Sequence, residues 1–83
     1  MQINLYNEDC LIGLRNISDN SIDCCVTDPP YLIGYKDWDY GNFIEFTDKW
    51  VSEIFRVLKP NGTLWSFMGY DQVFDFVPLL NKY

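Results

Sequence analysis

The spacing of apolar positions along the chain alternates between two periods. Ile3 and Leu5 alternate with polar neighbours, the pattern of a short strand. Asp9 follows, and then Cys10, Leu11, Leu14 and Ile17 recur at near-helical spacing. The turn formers Ser18-Asp19-Asn20-Ser21 break that helix. The short apolar run Ile22-Asp23-Cys24-Cys25-Val26 reads as a buried strand, stopped by Pro29, because proline cannot continue a central strand. Residues 31–42 read as an aromatic, glycine-containing loop. Phe43, Phe46, Trp50, Ile54, Val57 and Leu58 then mark the apolar face of an amphipathic helix, which makes Trp50 a core residue. Lys59-Pro60-Asn61-Gly62 is expected to end it, with glycine available for a positive φ. Residues 63–67 predict a third strand. Val73, Phe76, Val77 and Leu80 predict a last helix, kinked or ended by Pro78.

The order is β-α-β-α-β-α. Strands alternating with helices imply an α/β fold with parallel strands and right-handed crossovers. In such sheets ligands bind off the carboxyl ends of the strands. Asp9, Asp28 to Tyr31, and Gly69-Tyr70 all fall at those ends.

Length and composition narrow the reading. With 83 residues the chain is at most one domain, and a chain of this size buries only about 60–65% of its unfolded surface. Hydrophobic residues make up 48% and charged residues 22%, which excludes a disordered chain. A net charge of −6 argues against a stand-alone nucleic-acid binder, though not against one part of a larger binder. Three cysteines, Cys10, Cys24 and Cys25, with no CxxC pair and no histidine, read as free, buried thiols in a reducing compartment rather than metal ligands. No apolar run reaches the ~18–20 residues of a membrane span, and a cytoplasmic location is expected.

The chemistry concentrates in Thr27-Asp28-Pro29-Pro30-Tyr31. As a bare turn it is ordinary, since Asp and Pro are turn residues. As a site it is an acceptor-rich corner. Asp28 is acceptor-only when ionised. Pro29 and Pro30 have no N–H, so carbonyls stand there without competing donors, and Asp28 is confined to extended angles. Tyr31 adds a flat ring. Such a corner suits the exocyclic amine of a nucleobase, whose lone pair is delocalised into the ring. Two acceptors hold its two protons and aim the nitrogen at an electrophile. The base must leave the duplex, and an aromatic ring can stack on it.

With these residues in place the sequence resembles the S-adenosylmethionine-dependent amino-group DNA methyltransferases of bacteria and phages, in the branch whose catalytic motif precedes the cofactor motif. The matching stretches are LYNEDCLIGL, NSIDCCVTDPPY, WVSEIFRVLKPNGTLW and FMGY, and the resemblance as a whole runs essentially from residue 2 to residue 81. The resemblance implies a partial Rossmann-like methyltransferase sheet. It also implies that Asp28 and the Pro29 carbonyl, at the Pro29-Pro30 corner, bind the target amine while Tyr31 stacks on the flipped base. Asp9 would face the adenine end of the S-adenosylmethionine cofactor with the Cys10 backbone nearby, a role compatible with a helix N-cap. An aspartate in the motif favours adenine N6 over cytosine N4. Arg56 and Lys59 read as solvated or helix-end charges rather than DNA contacts. Trp38 and Tyr40 are candidates for the base pocket or for a lid.

The family's glycine-rich FxGxG cofactor loop has no counterpart here, because Gly62 and Gly69 are isolated and Ile33-Gly34-Tyr35 is not that loop. In the family the strand carrying that loop lies between the first and second strands predicted here. Residues 1–83 therefore read as the N-terminal part of a methyltransferase catalytic domain that acts on DNA through the complete enzyme, with a second polypeptide as one way to complete it. Alone, the chain is expected neither to bind the cofactor tightly nor to methylate DNA. The alternatives are a non-catalytic remnant or interaction module of the same fold, and an RNA or protein amino-group methyltransferase.

Overall fold

The computed structural model describes residues 2–32 and 41–83. The expectations for Ile33-Gly34-Tyr35, Trp38 and Tyr40 lie outside the described residues. The elements are α1 (Cys10–Gly13), which runs into a 3-10 turn (Leu14–Asn16), β1 (Ile22–Thr27), α2 (Phe43–Val57), β2 (Leu58–Ser66) and α3 (Val73–Leu80).

Helix α2 organises the chain. Asn42 caps it, its side-chain oxygen accepting from the Glu45 N–H at 2.9 Å. Glu45 in the first turn and Arg56 in the last both suit the helix dipole. Of the predicted stripe Trp50, Ile54 and Val57 are buried, joined by Val51 and Thr47; Phe43 and Phe46 are half-buried, and Leu58, though buried, already belongs to β2. Phe76 of α3 stacks on Trp50 with ring centroids 5.8 Å apart. Leu11, Leu14, Ile22, Cys25 and Leu64 pack against the same cluster. The helices and one face of the sheet thus share a single core.

β1 and β2 are parallel neighbours, as the alternation of elements predicts. Their register runs Cys24↔Thr63, Cys25↔Leu64, Val26↔Trp65 and Thr27↔Ser66, with a break between Ile22 and Cys24. Ile22 pairs with Leu58, so residues 59–62 form an excursion in β2. That excursion corrects two expectations. Lys59-Pro60-Asn61-Gly62 does not end the helix, which has already stopped at Val57. Nor does Gly62 supply a positive φ; among the described glycines only Gly41 does, at +136°. Gly62 is there for space. A Cβ on it would lie 3.0 Å from the Lys59 carbonyl oxygen and 3.2 Å from that of Asp23.

The break also changes which residues face the core. Ile22 and Cys25 both point inward, which strict alternation forbids. From Cys24 onward the other face carries Cys24, Val26, Trp65 and Phe67 and is open, with Val26 69% and Trp65 65% exposed. β1 is therefore half-exposed rather than buried. The cysteines are free as expected but not buried: Cys10 and Cys24 are exposed and Cys25 is intermediate.

Residues 2–7 form no strand, against the expectation from Ile3 and Leu5, which are 73% and 92% exposed. A strand needs hydrogen-bonding neighbours, and among the described residues β1 pairs only with β2. The observed order is accordingly α-β-α-β-α.

Arg56 is the expected helix-end charge, and it is also built into the fold. It donates to the Leu14 and Ile17 carbonyls at 2.7 and 2.8 Å, and it pairs with Asp19 at 2.7 Å and with Glu53. It ties the end of α2 to the connection before β1. Lys59 pairs with Asp23 at 2.8 Å.

Candidate active site

The carboxyl ends of β1 and β2 lie side by side, with the Phe67 N–H donating to the Thr27 carbonyl at 3.0 Å. Two segments leave from there, Asp28 to Tyr31 and Phe67 to Tyr70. Pro29 is buried and Pro30 half-buried, whereas Asp28 is exposed. The prolines anchor the corner and the carboxylate projects from it. The Tyr31 hydroxyl donates to Asp28 Oδ1 at 3.0 Å. This bond, with the repulsion between a phenolate and the carboxylate, pushes the Tyr31 hydroxyl above its ordinary pKa.

Leu32 follows in the left-handed region with φ 57°. A non-glycine residue there costs about 1–2 kcal/mol, so the tertiary structure enforces this turn immediately after the motif. Gly69 sits against the other side of the corner. A Cβ on it would collide with Gln72 Oε1 and lie 3.4 Å from Tyr31 Cδ2. Glycine thus makes room for the Gln72 side chain, while the Tyr31 ring lies at ordinary contact distance. The sequence marks Gly69 within FMGY, but its nearness to Gln72 and to Tyr31 was not readable from it. The positive φ of Leu32 had no sequence signal.

At the start of α1, Asp9 accepts from the Leu11 N–H through Oδ1 at 2.8 Å and so acts as the N-cap. Partial burial, followed by the Asp9 carboxylate, raises the Cys10 thiol pKa. A cleft of ≈ 350 Å³ joins the two regions, lined by Leu11, Pro30, Leu32, Asn42, Phe46 and Lys49 among others. Its size falls at the lower end of the range for small-molecule sites. The structure therefore brings Asp28, Pro29, Pro30 and Tyr31 into one corner and sets the α1 segment beside it. No hydrogen bond links Asp9 or Cys10 to that corner among the described residues. Nor do those residues include a group of three or more His, Cys, Asp or Glu suited to a metal, or a helix long and apolar enough to cross a membrane.

Comparison with known proteins identifies the family. The chain is 40% identical to the Type II methyltransferase M.HpaI of Haemophilus parainfluenzae, over 99% of its own length and 28% of that protein's. It is 34% identical to the Type II methyltransferase M.BamHI of Bacillus amyloliquefaciens, over 76% of its length and 16% of that protein's. The chain thus spans under a third of the length of both relatives. The family model described as DNA methylase matches residues 22–83, which include the Asp28-Pro29-Pro30-Tyr31 corner, both strands and helices α2 and α3. By that match and those relatives, the chain belongs to the DNA methylase family.

Proposed function

We propose that this chain is the amine-binding part of a methyltransferase that transfers a methyl group from S-adenosylmethionine to the exocyclic amine of a flipped DNA base, with adenine N6 as the preferred target. The observation that carries the reading is the corner itself: an exposed carboxylate and a buried proline at the end of a parallel strand, with an aromatic ring attached.

Asp28 Oδ2 and the Pro29 carbonyl accept the two amine protons. Losing conjugation with the ring, the nitrogen turns its lone pair outward. The Tyr31 ring stacks on the base and replaces the stacking lost on leaving the duplex. After transfer the nitrogen sheds one proton, and Asp28 is the nearest base in the corner. S-adenosylmethionine supplies the electrophilic methyl group on a sulfonium. The described residues fit one end of it. The cleft carries apolar walls from Leu11, Pro30, Leu32 and Phe46 that suit a flat adenine, and Asp9 keeps one carboxylate oxygen beyond its cap bond. Asp9 and the Cys10 backbone are assigned to that end. Because the chain covers 28% of the Haemophilus parainfluenzae relative, the remaining donor contacts and the basic DNA-binding surface are assigned to the rest of the enzyme, in one polypeptide or two.

The test places these 83 residues in M.HpaI in exchange for the matching segment. The exchanged enzyme is incubated with DNA and tritiated donor, and the nucleosides are separated. N6-methyldeoxyadenosine is expected, with none from an Asp28→Ala version. N4-methyldeoxycytidine would overturn the choice of base. A folded exchanged enzyme that transfers nothing would overturn the reading, as would methyl transfer by the 83 residues alone.

A further inference from the structure

Asp28 is exposed, and an exposed aspartate ordinarily samples several rotamers. A side chain that must meet an amine at one angle loses rate if it has to be ordered during the reaction. Here it is ordered beforehand. Tyr31 lies three residues on, and its hydroxyl reaches back to Asp28 Oδ1 at 3.0 Å. The residues between are Pro29 and Pro30, whose φ angles are fixed by their rings, and each restricts the residue before it. Pro29 is buried, so the turn cannot pivot as a unit. On its far side the Tyr31 ring lies against the Gly69 segment, Cδ2 being 3.4 Å from where a Cβ on Gly69 would stand. The ring therefore has a support, the hydroxyl has a fixed reach, and the carboxylate has a fixed partner.

We propose that Tyr31 is a positioning residue for Asp28 in addition to a stacking surface: its hydroxyl holds Oδ1, so that Oδ2 and the Pro29 carbonyl are the pair presented to the target amine. This inference rests on the amine-transfer reading above. The arithmetic of acceptors supports it. An amine brings two protons, and a carboxylate free at both oxygens would compete with the carbonyl for both of them. With one acceptor site of Oδ1 engaged and the carboxylate held in one orientation, Oδ2 is the freer acceptor, so one proton goes to it and the other to the carbonyl. A hydroxyl-to-carboxylate bond is also charge-assisted, and so stronger than a bond between neutral groups. The upward shift of the Tyr31 hydroxyl is the counterpart of that bond. The stacking ring and the amine clamp thus move together, and a base aligned on the ring is aligned on the carboxylate.

The experiment compares the chain with Tyr31→Phe, which keeps the ring and removes the hydroxyl. In isotopically labelled protein, three-bond couplings from Hα to Hβ and from N to Cγ report the Asp28 χ1 rotamer. One rotamer is expected to dominate in the original chain, and averaging over the staggered wells is expected in Tyr31→Phe, with the amide spectrum otherwise preserved. Unchanged Asp28 couplings in Tyr31→Phe would overturn the proposal. In the exchanged enzyme, Tyr31→Phe is expected to lower kcat by roughly 10–100-fold, the scale of a misplaced catalytic group, and to leave KM for the donor unchanged. Full kcat in Tyr31→Phe with loss only in Tyr31→Ala would show that the ring alone matters, and would also overturn it. Absence of transfer in the original exchanged enzyme would count against the amine-transfer reading, while the couplings still decide the positioning.

Discussion

Thr47 lies on the buried face of α2 with 1% of its surface exposed, and its hydroxyl has no hydrogen-bond partner among the described residues. Burying a hydroxyl without a partner costs about 1–3 kcal/mol on the scale of protein mutational data. Replacing Thr47 with Val keeps the branched shape and removes the hydroxyl. Valine and threonine have nearly equal helix propensities, so the backbone adds little to the difference. The variant should therefore be more stable by about 1–2 kcal/mol. In a domain of this size each kcal/mol moves Tm by about 4–8 °C, so the melting midpoint should rise by roughly 5–15 °C. Thermal unfolding followed by circular dichroism reads this directly. Thr47→Ser is the control. It keeps the unpartnered hydroxyl and deletes a buried methyl group worth about 0.8 kcal/mol before any cavity cost, so it should melt lower than the original. If Thr47→Val melts at or below the original, the hydroxyl makes a bond in solution and the reasoning fails.

The two tight glycines differ in what surrounds them. Gly62→Ala should cost about 1–3 kcal/mol, the scale of overpacking, because its Cβ would press on backbone carbonyls. Gly69→Ala should be far milder in a urea titration, because the end of the Gln72 side chain can swing away. The Tyr83 hydroxyl and then the Lys82 ammonium hold the Asp48 carboxyl below its usual pKa. That contribution is present above the unfolded value near pH 3.9 and is lost as pH falls through the lower folded value. Urea midpoints of the chain and of Asp48→Asn should therefore differ above about pH 5 and converge in acid; a constant gap would refute the assignment. Arg56→Met should accelerate hydrogen exchange at Asn20 and Ser21, which donate to the Arg56 and Val57 carbonyls, with little change at Val51. Equal protection in both proteins would show that Arg56 does not brace this connection.

The parts that were legible in the sequence are those set by local periodicity or covalent stiffness. The α2 stripe was readable because Phe46, Trp50, Ile54 and Val57 repeat at helical spacing and the helix buries that face. The parallel pairing of β1 with β2 followed from the helix between them. Asp28 to Tyr31 stood out because two prolines fix a backbone wherever they occur. What was not legible depends on partners distant in the chain. Ile3 and Leu5 alternate like a strand, but a strand is completed by its neighbours. Gly62 looked like a helix stop, because only the tertiary fold reveals the carbonyls crowding it. Arg56 sits where a helix-end charge belongs, and nothing local indicates that it reaches Leu14 and Ile17. The hydroxyl bond within the candidate site is a further case: Asp28 and Tyr31 were both readable, but the bond between them was not.

Strand alternation turns two adjacent thiols to opposite faces, and the break in register near Ile22 decides which of them meets the core. Cys24 stands on the open face beside Val26 and Trp65, and Cys25 packs against the core. Burial, followed by the neighbouring Cys24, raises the Cys25 thiol pKa and slows its reaction with thiol reagents. The pair works as a reporter with an internal reference. Modification of Cys24 measures access to the outer face, and Cys25 shows whether the core stayed closed. Any protein that covers the open face would suppress labelling at Cys24 and leave Cys25 unchanged, whereas unfolding would expose both.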